Sequence, residues 1–197
     1  MKTCLLFPGN PAIQKQYTDW ITEITIEDPT LDIRYISSYV IFDKHLDSAT
    51  YDAFLLEHYE KIFLEAFQGT PLTLIAHSAG SYFALRILAK YPEKIDTVIV
   101  LFPYLGPSTI KSLRFGVRKC ELYNKALFDF SSIAPYKDKV HFLYTQHDSW
   151  CPDKTIEALS QLSHAQEIDI PHDFIVSQLE RKKMWNVIKS ILTPWVK

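Results

Sequence analysis

Apolar residues along this chain fall alternately into short unbroken runs and helically spaced sets, and the alternation persists throughout its length. Lys2 to Phe7 reads as a buried strand, broken by Pro8-Gly9-Asn10-Pro11. Tyr17, Trp20, Ile21 and Ile24 then recur on one helix face, and Asp28-Pro29 ends that helix. Asp32 to Val40, rich in Ile, Tyr and Val, reads as a second strand. Thr50 to Phe67 is a second amphipathic helix with Leu56, Tyr59, Phe63 and Phe67 inward. Gly69-Thr70-Pro71 closes it, a C-terminal glycine followed by proline.

Leu72 to Ala76 is the next strand, and it runs within a few residues into a helix over Tyr82 to Lys90, with Phe83, Ala84, Ile87 and Leu88 inward. Asp96 to Phe102 is a continuous apolar strand, as expected where both faces of a parallel sheet are covered. Val140 to Thr145 is another strand, and Pro152 fits the first turn of a helix reaching Leu162. Glu167 to Ile170 reads as a last short strand. From Phe174 onward Met184, Ile188, Ile191, Leu192 and Trp195 are helically spaced to the end. This order predicts an α/β domain with a mostly parallel sheet of about six strands and helices on both faces. Its ligand site is expected at the carboxyl ends of the strands.

Composition narrows the class. A chain of 197 residues suits one domain, 1–197, with 47% hydrophobic and 22% charged residues marking it as globular. The net charge of -2 provides no electrostatic footprint for nucleic acid, and no basic run suits an anionic membrane surface. Three cysteines, Cys4, Cys120 and Cys151, argue for a reducing compartment and fit no common zinc spacing. The first apolar run is too short for a signal-peptide core or a membrane span, so a cytoplasmic location is the expectation.

The candidate chemistry sits just after strands. In Ala76-His77-Ser78-Ala79-Gly80 a serine stands at a tight strand-to-helix turn, the arrangement of a nucleophile elbow with Ala76 in place of the first glycine. A serine hydroxyl needs an imidazole to take its proton and a carboxylate to orient the imidazole. Asp148 follows the strand beginning at Val140, and His172 follows the strand beginning at Glu167. The order Ser78, Asp148, His172 is that of an α/β-hydrolase triad. Two backbone N–H donors are needed for the oxyanion: Ala79 follows the nucleophile, and Asn10 lies in the loop after the first strand.

Other candidates compete for these roles. His77 is expected to point away from Ser78, as a core or supporting residue, and His147 to be a surface or hydrogen-bonding residue. His45, His58, His141 and His164 lack a matching position after a strand. Asp129 is the alternative acid, Asp173 adjoins His172 too closely in sequence to face it, and Cys151 lacks a partnering histidine. No metal motif, phosphate loop or dinucleotide fingerprint is present, so no metal or cofactor is expected. Between 103 and 136 the rhythm breaks, and apolar residues interleave with Lys111, Arg114, Arg118 and Lys119. This stretch reads as a small cap-like insertion over the site.

These residues together resemble the lipid-droplet-associated hydrolase family of the α/β-hydrolase superfamily. The resemblance runs through Phe7-Pro8-Gly9-Asn10-Pro11 with Tyr17, His77-Ser78-Ala79-Gly80 with Tyr82, and Leu101-Phe102-Pro103. It continues in Asp148-Ser149-Trp150-Cys151-Pro152 and in His172 with Phe174. It implies a serine hydrolase with a Ser-Asp-His triad and an ester-like, lipid-like substrate. The chain departs from the family pattern at Ala76, begins on its first core strand so that the usual leading strands are expected to be missing, and has little room after Pro103. The expectation is a cofactor-free serine hydrolase acting on a small-molecule ester or thioester. The alternatives are a hydrolase fold kept as a binding or scaffold protein, and an acyltransferase using the same triad. Substrate, acyl-chain length and oligomeric state are not encoded in any readable motif.

Overall fold

The computed structural model describes residues 2–9, 14–37, 48–105, 128–146, 148, 153–162 and 164–192, with side chains for all of these except 48–52, 153 and 154. The strands are Lys2–Phe7 (β1), Leu31–Tyr35 (β2), Leu72–His77 (β3), Ile95–Leu101 (β4), Val140–Tyr144 (β5) and Ala165–Glu167 (β6). The helices are Gln14–Glu27 (α1), Ser48–Ala66 (α2), Gly80–Lys90 (α3), Asp153–Ser160 (α4) and Gln178–Leu192 (α5). The sheet has the order β2-β1-β3-β4-β5-β6, and every neighbouring pair is parallel.

That order places a topological switch between β1 and β3. After β1 the chain turns outward to β2, then crosses to the other side of β1 and builds β3 to β6 in sequence. The loops leaving β1 and β3 therefore diverge onto opposite faces and open a crevice at the carboxyl ends. Pro8-Gly9 and Ser78 stand there.

Alternation along the strands builds the two faces. Leu5, Phe7, Leu74, Ala76, Val98, Val100 and Phe142 pack with Tyr59 and Phe63 of α2 and Phe83, Ala84 and Leu88 of α3. Cys4, Leu6, Ile75, Ile99, Leu101 and Leu143 pack against Tyr17, Trp20 and Ile24 of α1 and Met184, Trp185 and Ile188 of α5. Each fully buried large side chain contributes about 1.5–3 kcal/mol of transfer free energy, which makes this two-sided burial the main support of the sheet. Arg181 of α5 locks the second layer through Nε and Nη2 donating to the two carboxylate oxygens of Glu23 in α1, at 2.9 and 2.6 Å.

Three expectations shift. The last strand pairs through Ala165, Gln166 and Glu167 rather than Glu167 to Ile170, because Phe142 to Tyr144 hold those residues in register. Ile168 and Ile170, which carried the apolar signal, are buried beyond the strand in the α1–α5 layer. The final helix begins at Gln178 and is preceded by a 3-10 turn, Phe174–Val176. Ser177 separates them, its Oγ accepting from the Glu180 N–H at 3.5 Å in the manner of an N-cap. On α2, Leu55 and Ala66 are buried alongside Tyr59 and Phe63, while Leu56 and Phe67 lie at the stripe's edges.

Of the expected insertion over 103–136, residues 106–127 lie outside the described residues, as does Trp195. Leu105 and Phe128, the described residues on either side of that stretch, are joined by the Phe128 N–H donating to the Leu105 carbonyl at 2.7 Å.

Candidate active site

Ser78 leaves the end of β3 with φ of 52°, in the left-handed region. A residue with a Cβ pays on the order of 1–2 kcal/mol to sit there, and it persists only where its surroundings over-determine it. Here they do. The Ser78 N–H donates to the Leu101 carbonyl at 2.9 Å, and its own carbonyl accepts from the N–H groups of Ser81 and Tyr104, both at 3.1 Å. Phe102, at the end of the adjacent β4, has φ of 46°, and its N–H is bound to the Leu143 carbonyl at 2.8 Å. Ala79 heads α3, where the N–H groups of the first turn have no intrahelical acceptors.

Two glycines let β1 reach this turn. A Cβ on Gly80 would lie 2.4 Å from the Phe7 carbonyl oxygen and 2.7 Å from that of Pro8. A Cβ on Gly9 would lie 2.5 Å from the Cβ of Ser78 and 3.1 Å from its Oγ. Bare α-carbons at both positions bring the end of β1 against the serine. Ala76, two residues before Ser78, is fully buried on the α2–α3 face.

Asp148 and His172 arrive from the far side of the sheet. Asp148 follows β5, and its side chain is 1% exposed. The His172 Nδ1 lies 2.7 Å from Asp148 Oδ2. A carboxylate only accepts, so Nδ1 carries the proton and a neutral His172 keeps its lone pair on Nε2. The imidazole packs beside Phe102 at 5.6 Å and His77 at 5.1 Å between ring centroids. Hydrogen bonds of the site join His172 to Asp148 and His77 to the His172 backbone.

His77 sits beneath this arrangement. It is buried, with Nε2 3.1 Å from the His172 carbonyl oxygen and Nδ1 2.5 Å from the Tyr17 hydroxyl. Burial, reinforced by the neighbouring His172, holds its pKa well below the ordinary histidine range. Tyr17 also accepts from the Gly9 N–H at 3.1 Å. The sequence places His77 among core or supporting residues and Tyr17 on a core face and in the family resemblance, without a polar role for its hydroxyl.

The competing residues lie elsewhere. Asp129 caps a 3-10 turn, accepting from the Ser131 N–H and hydroxyl at 2.9 and 2.6 Å, which lowers its carboxyl pKa. It is engaged in that turn, whereas Asp148 is the carboxylate paired with His172. His58 contacts the Ser37 carbonyl oxygen at 3.2 Å. Asn10, His45, His147 and Cys151 lie outside the described residues. Burial pushes the Cys4 thiol up to about 12, so it is an inert core residue. Among the described residues no group of His, Cys, Asp or Glu is arranged to hold a metal ion, and no helix is long and apolar enough to cross a membrane.

Solved structures share this architecture. Est1E from Butyrivibrio proteoclasticus, determined with ferulic acid bound, matches at a TM-score of 0.66 with 13% identity, over 100% of this chain and 90% of its own. The methylesterase MES16 from Arabidopsis matches at 0.62 with 12% identity, over 97% of this chain and 99% of its own. An extracellular α/β-hydrolase from a Paenibacillus species matches at 0.62 with 13% identity, over 96% and 98%. Compared by sequence with proteins of curated function, the chain matches none. Residues 1–111, which carry β1, the switch crevice and the Ser78 turn, match the family model described as lipid-droplet associated hydrolase. With its parallel sheet and strand-end turn those of the α/β-hydrolase fold, the chain belongs to the lipid-droplet associated hydrolase family.

Proposed function

We propose that this protein is a serine hydrolase that cleaves a carboxylic ester or thioester through an acyl-enzyme. The observation that carries this reading is the Asp148–His172 hydrogen bond of 2.7 Å, formed at the sheet edge where Ser78 is held at positive φ. In the proposed reaction Ser78 Oγ attacks the substrate carbonyl carbon while His172 Nε2 takes the hydroxyl proton. Asp148 holds the Nδ1–H and stabilises the imidazolium. His172 then gives the proton to the departing alcohol or thiol as the acyl-enzyme forms. Water, deprotonated by the same nitrogen, releases the acid and restores Ser78.

The Ala79 N–H at the head of α3 is the first proposed oxyanion donor. The second comes from the loop after β1. The Gly9 N–H is already committed to Tyr17, and Pro8 and Pro11 have none to offer, which leaves the Asn10 N–H. An ester substrate agrees with the fold neighbours, one a methylesterase and one holding ferulic acid. The apolar residues of 103–136 are proposed to receive the substrate's apolar portion. The three cysteines suit a reducing, cytoplasmic setting.

A hydrolase fold can also serve binding with negligible turnover. A fluorophosphonate probe separates the two. Covalent labelling of Ser78, lost in Ser78→Ala and His172→Ala, is the result expected of the hydrolase. An unlabelled, correctly folded protein would leave the binding reading standing. A panel of p-nitrophenyl esters and thioesters of graded chain length then defines the acyl group, and transfer to an added alcohol identifies an acyltransferase.

A further inference from the structure

The hydrogen bonds beneath the site have only one consistent direction. A carbonyl oxygen can only accept, so the proton between His77 and the His172 backbone belongs to His77 Nε2. Burial keeps His77 neutral, so its Nδ1 is an acceptor and the Tyr17 O–H donates to it. The Tyr17 oxygen is then the acceptor for the Gly9 N–H. One unbroken chain runs from Gly9 N–H to Tyr17, to His77, to the His172 carbonyl. It crosses from α1 to β3 and on to the loop after β6, and joins residues 60 and 95 positions apart.

What it joins matters more than its length. Gly9 is the residue against which Ser78 rests. His172 presents the imidazole, and His77 is the residue immediately before Ser78. The three strand-end segments that must meet for acyl transfer are thus tied through two buried side chains. The ring of His77 is further confined by Phe102 at 6.2 Å and Phe174 at 5.2 Å between centroids, both edge-on.

We propose that Tyr17 and His77 form a positioning relay that sets the His172 loop and the Gly9 loop in one register around Ser78. Neither side chain exchanges a proton with substrate; both act through the backbone segments they hold. The inference rests on the serine-hydrolase reading, since it concerns the placement of that reading's base and oxyanion donor. Losing the Tyr17 hydroxyl leaves both the Gly9 N–H and His77 Nδ1 without this partner in a dry site.

The test compares Tyr17→Phe, His77→Gln and the double variant with wild type, using the p-nitrophenyl ester the wild type turns over best. Phe63→Leu, altered in the core on the opposite face, serves as a control for lost stability. Each relay variant is expected to lose between about 10- and 100-fold in kcat with KM within twofold, the cost of a small misplacement of reacting groups. The double variant is expected to lose no more than the worse single one, because both substitutions break one unit. Phe63→Leu should lower the melting temperature with little change in kcat at 25 °C. A wild-type kcat in Tyr17→Phe, a loss matched by Phe63→Leu, or losses that multiply would each overturn the relay while leaving the hydrolase reading intact. A wild type that neither hydrolyses esters nor labels at Ser78 takes down both. Should Tyr17→Phe not fold, ¹⁵N spectra of wild-type histidines decide. His77 must be the Nε2–H tautomer at neutral pH, and an Nδ1–H tautomer or a cation there overturns the proposal.

Discussion

Gly9 and Ser78 touch so closely that a single methyl group does not fit between them. The Cβ of an alanine at position 9 would fall 2.5 Å from the Ser78 Cβ and 3.0 Å from the His77 carbonyl oxygen. Neither is the free end of a flexible side chain, so the loop or the serine must move. Gly9→Ala is expected to cost about 1–3 kcal/mol of stability as an overpacked site. Displacement of the reacting groups should slow fluorophosphonate labelling of Ser78 by about 100-fold. Urea denaturation and labelling rates, measured on the same sample, check both.

Gly80 presents a contest between two effects. Replacing a helical glycine by alanine ordinarily gains about 1 kcal/mol of helix propensity. Here the added Cβ would meet the backbone of Phe7 and Pro8 at 2.4 to 2.7 Å. Backbone atoms of a central strand cannot swing aside, and the overpacking penalty of about 1–3 kcal/mol or more outweighs the propensity gain. Gly80→Ala should therefore lower the melting temperature. A stabilised variant would show that β1 can retreat from α3.

The strain at Ser78 can be read directly. With φ at 52°, glycine is the one substitution that relieves the backbone as it removes the hydroxyl. Ser78→Gly is expected to be more stable than Ser78→Ala by about 1 kcal/mol, with neither labelled by the probe. Paired urea titrations give the difference. Equal stabilities would mean that the turn relaxes when the serine is lost.

Asp148→Asn probes the tautomer of His172. The present carboxylate requires a proton on Nδ1, whereas an amide can donate to a bare Nδ1 and favour the other tautomer. By analogy with the general triad, kcat should fall about 10⁴-fold while KM changes little. Steady-state kinetics on a short-chain ester provide the check, and a loss below tenfold would argue against Asp148 as the orienting acid.

Stability should fall on mild acidification. His77 has a depressed folded-state pKa, so between that value and the ordinary 6.5 the unfolded chain binds a proton that the native protein refuses. The stability it contributes is complete above pH 6.5 and is lost as pH falls below it, with a slope approaching 1.4 kcal/mol per pH unit, to order of magnitude. His141 and His164 add in the same direction: burial depresses both, aided by His164 for His141 and by Lys137 for His164. The lowered carboxyls of Glu60 and Asp129 act only in a more acidic window. Urea midpoints at pH 7.5, 6.5 and 5.5 should decline for wild type and decline less for His77→Gln. A flat wild-type profile would contradict the neutral state of His77.

The order of elements, the boundaries of β1 and β3, and the positions of Ser78, Asp148 and His172 just beyond strands follow from signals local in the chain. Apolar runs, helical spacing and turn residues act within a few positions, so they are legible without knowledge of the fold. The last strand was misplaced for the same reason. Ile168 and Ile170 announce burial, whereas pairing in β6 is decided by the register of Phe142 to Tyr144. Bringing the Asp148 carboxylate onto His172, and giving Tyr17 and His77 a polar task, required the tertiary structure. Those decisions depend on hydrogen-bond partners 24, 60 and 95 residues away. No periodicity spans such distances, and a buried hydroxyl or imidazole acquires its role only from the group that the fold brings to meet it.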